Sequence, residues 1–114
     1  MKYLSTRDDS LSRSFNDILY QGLSRDGGLY LPQSWPKIDL LSLKNKSYEE
    51  VACEIIFPYV NENIEKLDLQ KILNETYSNF NHEKIAPLVE LENNKFLLEL
   101  ISVSYTHLTL PTSR

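Results

Sequence analysis

The sequence predicts a small α/β fold (α+β-like), in which a small mixed sheet has its helices packed mainly on one face. Three observations predict this class. Short apolar runs bounded by turn residues, which are typical of strands, occur near both ends of the chain. Between them, apolar residues recur at helical spacing behind capping residues. The length of 114 residues suits one ordinary domain.

The first third of the chain predicts a strand, a helix and a second strand. Residues 2–6 form a short apolar strand pattern, and Ser14 with Asp17 resembles a capping box at the start of a helix. The apolar positions of that helix are Phe15, Ile18, Leu19 and Leu23. Gly22 weakens the helix near its end, and we expect the turn at residues 26–28 to terminate it.

A glycine of this turn is expected to hold a positive φ, because a tight reversal after a helix needs one. Leu29-Tyr30-Leu31 then reads as a brief strand, which Pro32 is expected to stop. Residues 33–45 read as a loop that contains a leucine cluster.

Two further helices and a hairpin complete the pattern. Ser47 and Glu50 form a capping box, and Pro58 is expected to end or kink the helix that follows. Its expected buried stripe is Tyr48, Val51, Ala52, Ile55 and Ile56. Asp68 is expected to cap a third helix, whose face consists of Leu69, Ile72, Leu73, Thr76 and Tyr77. Residues 88–91 and 95–100 flank Glu92-Asn93-Asn94 and read as a hairpin.

Composition excludes several classes of function. The hydrophobic content of 41% and charged content of 25% are globular values. The net charge is −4 and no basic cluster occurs, so we expect no nucleic-acid partner. No apolar run approaches the ~20 residues that span a bilayer, so we expect no membrane partner. Residues 1–30 lack the apolar core of a signal peptide, and the single Cys53 cannot form an internal disulfide. A cytoplasmic setting is therefore expected.

Few residues are candidates for chemistry. Ser5-Thr6-Arg7 has the donors to bind a phosphate, or it forms a hydrogen-bond network at the end of a strand, and we favour the network. Asp26-Gly27-Gly28 lacks the glycine spacing and following helix of a phosphate loop, so we interpret it as a structural turn. His82 has no neighbouring partner in sequence for a triad or a metal site and is expected to be a capping or surface residue. Cys53 is expected to be a small buried hydrophobe.

Other candidates are interpreted as structural. Carboxylates on the helices are expected to face solvent and not to act as a catalytic pair; these are Glu49, Glu50, Glu62 and Glu65. Tyrosines at apolar positions are expected in the core and its rim; these are Tyr3, Tyr20, Tyr30, Tyr48, Tyr59 and Tyr77.

Five segments in order resemble the start of a known family. The chain reads Y-L-S-T-R at 3–7, S-F to G-L at 14–23, D-G-G-L-Y-L-P at 26–32, F-N-H-E-K-I-A-P-L at 80–88 and F-L-L-E-L at 96–100. This order and spacing resemble the threonine synthases. The motif residues that the resemblance carries over, which we expect to be structural, are Tyr3, Ser5, Thr6, Arg7, Ser14, Phe15, Gly22, Asp26, Gly27, Gly28 and Pro32.

The resemblance implies a fold and an activity. Residues 1–86 would be the N-terminal domain of a fold type II pyridoxal-phosphate enzyme, and residues 87–102 a hairpin that begins its catalytic domain. The complete enzyme would be a carbon–oxygen lyase that uses pyridoxal 5'-phosphate. It would convert O-phospho-L-homoserine and water to L-threonine and phosphate in threonine biosynthesis. The alternative is a non-catalytic N-terminal packing or interaction module. Related pyridoxal-dependent lyases without this domain are disfavoured by the opening motif.

The resemblance ends near residue 102. In the family the chain continues into H-G-P-T-x-A-F-K-D, whose lysine forms the Schiff base with the cofactor, whereas here Ile101-Ser102-Val103 follows. We therefore expect the 114-residue chain to be inactive, and we assign it no catalytic, cofactor-binding or metal residue. Residues 103–114, including His107, resemble the translation of a sequencing adapter, which would make them non-native. The other interpretation is a genuine strand, because Val103, Tyr105 and His107 alternate with smaller polar residues.

Overall fold

The computed structural model describes residues 1–80 and 86–99. Its contacts divide the chain into two units, one of residues 1–71 and one that begins at Ile72. The elements are β1 (Tyr3–Ser5), β2 (Ser12–Arg13), α1 (Phe15–Gln21), β3 (Tyr30–Pro32), a 3-10 helix (Leu40–Leu43), α2 (Tyr48–Val60), α3 (Lys66–Ser78), β4 (Leu88–Glu92) and β5 (Lys95–Leu98). Helices and small sheets together confirm the predicted α/β class.

The first unit contains a three-stranded antiparallel sheet in the order β2-β1-β3. Tyr3 on the central strand pairs with Arg13 on one side and with Pro32 on the other. Strand β3 ends at Pro32, as predicted, and Pro32 itself is still paired with Tyr3. Strand β3 lies at the sheet edge, where the missing N–H of a proline leaves no ladder bond unmade. Strand β2 was not predicted, because two residues are too few to show an alternating pattern.

Helix α1 starts with the predicted capping box. The Ser14 hydroxyl accepts from the Asp17 N–H at 3.3 Å, and an Asp17 carboxylate oxygen accepts from the Ser14 N–H at 3.2 Å. The helix ends at Gln21, before the predicted terminator at residues 26–28. Gly22 follows with φ 74° and ψ −81°, and the Leu23 N–H donates to the Gln21 carbonyl at 3.0 Å. This γ-turn requires the positive φ that glycine adopts readily, so Gly22 ends the helix.

The predicted loop at residues 33–45 contains the 3-10 helix. The Asp39 carboxylate accepts from the Leu41 N–H at 3.0 Å and caps its start. Leu40 and Leu41 are 77% and 83% exposed. Their clustering in the sequence therefore does not mark a core.

Helix α2 has the predicted capping box at Ser47. Pro58 was expected to end or kink the helix; it lies inside α2, which continues to Val60, so the helix does not end at this proline. The predicted buried stripe was also wrong, since Tyr48 and Ile55 are exposed. The buried side chains of α2 are instead Cys53 and Val60. Apolar residues cover most of the circumference of this helix, so their spacing does not select one face.

The end of α2 is joined to the central strand of the sheet. The Tyr3 hydroxyl donates to the Tyr59 carbonyl at 2.5 Å. Tyr59 lies in the last turn, where the carbonyls have no partner within the helix. Tyr3 is buried, so this hydrogen bond connects β1 to the end of α2 within the core.

Helix α3 begins at Lys66, so Asp68 lies in its first turn and is not its cap, as had been predicted. The predicted helical spacing is correct for Leu69 and Leu73, which are both buried. Ile72, predicted for the same face, is 49% exposed. Within residues 1–80 and 86–99, no helix is long and apolar enough to cross a membrane.

The second unit contains the predicted hairpin. Strands β4 and β5 pair antiparallel, with Val89 opposite Leu97, and Asn94 in the connecting turn has φ 62°. The register shifts between Glu90 and Glu92, which marks a bulge. His82 and the tail at residues 103–114 lie outside the described residues.

Candidate functional site

The motif residues of the first third converge on the carboxylate of Asp26. The Ser5 hydroxyl lies 2.9 and 2.8 Å from its two oxygens. The Gly28 N–H donates to one of these oxygens at 2.8 Å. Ser5 is 4% exposed, so this contact lies at the buried end of β1. We call Ser5, Arg7, Asp26, Gly27 and Gly28 the Asp26 cluster.

The turn that carries Asp26 follows from its local sequence. An aspartate side chain that accepts the N–H two residues later forms an Asx turn, and Asp26 does this with Gly28. Gly27 between them has φ 81°, which confirms the expectation of a positive φ in this turn. The Gly27 N–H donates to the Ser24 carbonyl at 2.9 Å, and the Ser24 N–H donates to the Gly28 carbonyl at 3.1 Å.

Gly28 is needed for a different reason from Gly27. Its φ is not in the positive region, but a Cβ built on it would lie 2.5 Å from the Ser5 Oγ and 2.9 Å from the Thr6 Oγ1. The two chain segments approach this closely because they bond to each other. The Thr6 N–H donates to the Leu29 carbonyl at 2.8 Å, and the Leu29 N–H donates to the Thr6 hydroxyl at 3.0 Å.

Arg7 lies against the same turn. Its Nη1 donates to the main-chain carbonyl of Asp26 at 2.9 Å. The same nitrogen would lie 2.8 Å from a Cβ on Gly27, so the absence of a side chain there makes room for the guanidinium. Arg7 therefore binds the backbone of the turn, and its charge acts on the carboxylate from nearby.

The electrostatics keep Asp26 ionised. The hydrogen bond from the Gly28 N–H is the largest cause that lowers the pKa of this carboxyl below its ordinary value. Desolvation, the second-largest effect, raises the pKa, and the hydroxyls of Ser5 and Ser24 and the charge of Arg7 lower it further. The turn thus directs a carboxylate, not free N–H donors, at its own glycines. A phosphate approaching this position would meet a negative charge.

The remaining motif residues lie outside the Asp26 cluster. Ser14 caps α1, Gly22 ends it, and Pro32 pairs with Tyr3. The ring centroids of Tyr3 and Phe15 are 6.4 Å apart. Burial raises the pKa of the Tyr3 hydroxyl, which donates to a carbonyl and has no carboxylate or histidine partner among the described residues.

The other residues weighed from the sequence, so far as the structure describes them, do not assemble into a site. Cys53 is buried, as predicted, and burial raises the pKa of its thiol. Glu50 serves the cap of α2, and Glu62 pairs with the Met1 ammonium at 2.9 Å and with Lys2 at 3.4 Å. In the part of the chain that the structure describes, no group of three metal-binding side chains occurs.

Sequence reasoning missed one groove. It has a volume of about 530 Å³ and is lined by Arg13, Asp17, Tyr20, Gln21 and Arg25. Three of these residues belong to α1 at spacings of three and four, which place them on one side of the helix. The arginines flank the helix in sequence. The helical spacing was a usable signal, but the pairing of Arg13 into the sheet was not visible in the sequence.

Comparison with known proteins identifies the family of this fold. The family model described as threonine synthase N terminus matches residues 2–77. The threonine synthase of Pseudomonas aeruginosa is 40% identical over 103 residues, which cover 88% of this chain and 22% of that protein. The threonine synthase of Corynebacterium glutamicum is 41% identical over 107 residues, covering 85% of this chain and 22% of that protein.

Solved structures agree. The chain superposes on a PLP-bound threonine synthase from Brucella melitensis with a TM-score of 0.81 at 42% identity, over 88% of this chain and 22% of that one. Yeast threonine synthase gives a TM-score of 0.73 at 30% identity, over 85% of this chain and 21% of that one. The chain thus spans about a fifth of the length of these relatives. Because the family model matches residues 2–77 and the fold is shared, the chain belongs to the threonine synthase N-terminus family.

Proposed function

We propose that this chain is the N-terminal module of a threonine synthase. The complete enzyme would convert O-phospho-L-homoserine and water to L-threonine and inorganic phosphate. The observation that carries the proposal is the match of residues 2–77 to the N-terminal family model, supported by relatives named threonine synthase at 40% and 41% identity. A cytoplasmic location is part of the proposal.

The cofactor of the complete enzyme would be pyridoxal 5'-phosphate, as in the Brucella protein. The glycine turn of this chain does not fit the phosphate of that cofactor. The Gly28 N–H already donates a hydrogen bond to the Asp26 carboxylate at 2.8 Å, and the hydroxyl groups of Ser5 and Thr6 fill the space beside Gly28. We therefore derive no catalytic step through these residues and propose that the lysine holding the cofactor belongs to the rest of the enzyme.

The role we propose for the motif residues is to fix the strand β1 to the turn at residues 26–28. The Ser5 hydroxyl, the Asp26 carboxylate and the Nη1 of Arg7 each have a hydrogen-bond partner within the Asp26 cluster. Such a network orders two chain segments, and no buried side-chain nitrogen or oxygen in the described residues lacks a hydrogen-bond partner. The proposed division of the chain remains 1–86, 87–102 and 103–114.

The test uses the full-length gene product and the 114-residue chain side by side. Phosphate release from O-phospho-L-homoserine is measured with added pyridoxal 5'-phosphate, together with formation of threonine. We expect turnover by the full-length protein and none by the 114-residue chain. A full-length protein that binds the cofactor yet releases no phosphate would overturn the assignment. Turnover by the short chain would overturn the proposal that the reactive lysine lies elsewhere.

A further inference from the structure

The groove beside α1 is lined by two arginines, although the chain as a whole is acidic. Arg13, which precedes α1 in sequence, and Arg25, which follows it, both line the groove, together with Asp17. In residues 1–80 and 86–99, neither guanidinium forms an ion pair or a hydrogen bond with a protein group. The net charge of the chain is −4, so carboxylates are abundant, yet no carboxylate in the described part of the chain pairs with these guanidiniums.

Asp17 does not neutralise the groove. One of its oxygens accepts from the Ser14 N–H at 3.2 Å and from the Ser14 hydroxyl at 2.8 Å. These hydrogen bonds, the side-chain bond first, lower the pKa of the Asp17 carboxyl, and the nearby charge of Arg13 lowers it further. The carboxylate is thus occupied by the capping box. With two guanidiniums and one carboxylate, the groove carries a net positive charge.

The neutral residues of the groove add hydrogen-bond donors. The Tyr30 hydroxyl donates to the Gln21 Oε1 at 2.6 Å, which fixes the side-chain amide and leaves its Nε2 hydrogens without an acceptor among the described residues. Tyr20 is 90% exposed, so its hydroxyl is open to solvent. Donors therefore exceed acceptors in this groove, which is the composition that an anion needs.

We propose that this groove binds the phosphate group of a small phosphorylated molecule. The planar guanidinium fork matches phosphate oxygens in two-point contacts, and both arginines line this one groove, so together their charge suits a dianion. The volume of about 530 Å³ falls in the range of ligand clefts. This site is separate from the Asp26 cluster, and it does not depend on the assignment of the complete enzyme.

The experiment titrates the 114-residue chain with O-phosphoserine at constant ionic strength, followed by NMR amide shifts and calorimetry. Serine without phosphate is the ligand control. We expect saturable binding of O-phosphoserine, with the shifts centred on residues 13–25. Arg13→Gln and Arg25→Gln should each weaken binding about tenfold, since a hydrogen bond to a charged group contributes that much. Arg25→Lys keeps the charge but loses the planar fork, so its affinity for O-phosphoserine should lie between those of the glutamine variants and that of the parent.

The matched control is Lys71→Gln, which removes the same charge from an exposed position on α3. It should bind like the parent chain. Circular dichroism confirms that each variant is folded, which is expected because Arg25 is exposed and Arg13 is only half-buried. If Lys71→Gln weakened binding of O-phosphoserine as much as Arg13→Gln and Arg25→Gln do, the effect would be general electrostatic attraction, and the proposal would be overturned. Tighter binding of a tetraglutamate peptide with the same arginine dependence would also overturn it, in favour of a protein partner.

Discussion

The Ser5 hydroxyl lies within 2.9 Å of both carboxylate oxygens of Asp26, across 21 positions of sequence. This contact joins the end of β1 to the turn after α1. It places Gly28 against Ser5 so closely that no side chain fits between them. The motif pieces S-T-R and D-G-G are thus two halves of one hydrogen-bonded arrangement. Three testable consequences concern this arrangement, and two concern the helix α2.

Gly28→Ala is expected to destabilise the first unit because its Cβ would overlap the Ser5 Oγ at 2.5 Å. Overpacking of this kind costs about 1–3 kcal/mol. The free energy of unfolding, measured by urea denaturation of the parent chain and the variant, tests this. Gly27→Ala is also expected to destabilise, but through its φ of 81° and the nearby Arg7.

A double-mutant cycle separates crowding from other effects at Gly28. Ser5→Ala removes the atom nearest to the new Cβ, so Gly28→Ala should be less harmful in that background than in the parent chain. Ser12→Ala, an exposed serine on β2, serves as the control and should leave the effect of Gly28→Ala unchanged. Strict additivity of Ser5→Ala and Gly28→Ala would contradict the crowding account.

We expect the free energy of unfolding to decrease as the pH is lowered, because the carboxylate of Asp26 becomes protonated. Its pKa in the folded chain lies below the ordinary value of 3.8, chiefly because of the Gly28 N–H. A depressed pKa stabilises the fold above the ordinary value, and this contribution disappears as pH falls through the lower, folded value. Asp26→Asn should therefore be less stable than the parent at pH 7. Between pH 5 and pH 3, the variant should lose less unfolding free energy than the parent does. Asp9→Asn, in an exposed loop, should keep the parent's pH dependence.

What the sequence predicted depended on the range of each interaction. The capping boxes at Ser14 and Ser47 were predicted because each reaches only three residues along the chain. The bond from Ser5 to Asp26 was not, since no periodic pattern relates positions 21 apart. The prediction of the buried face of α2 was wrong because apolar side chains cover most of the circumference of that helix. Only tertiary packing decides that Cys53 is buried. The groove beside α1 depends on sheet pairing and was likewise invisible.

The cap of α2 offers a test of local stability. The Ser47 hydroxyl accepts from the Glu50 N–H at 3.2 Å, and the Glu50 carboxylate accepts from the Ser47 N–H at 2.7 Å. Ser47→Ala removes the first bond and is expected to cost about 1 kcal/mol of unfolding free energy. Ser47→Asp retains an acceptor at the N-cap and should restore most of it. If alanine and aspartate are equally stable, the cap contributes nothing at this position.

Cys53 is expected to resist thiol reagents in the native chain. It is 1% exposed, and burial raises the pKa of its thiol, so both access and the reactive thiolate are suppressed. The rate of reaction with a disulfide reagent such as DTNB should be slow without denaturant and should rise with urea in step with unfolding. An added Ser34→Cys, at an exposed position, supplies the matched fast-reacting thiol in the same chain. Because Cys53 lies at the buried side of α2, a native rate equal to that of the added cysteine would mean that α2 opens without global unfolding, contrary to its packing.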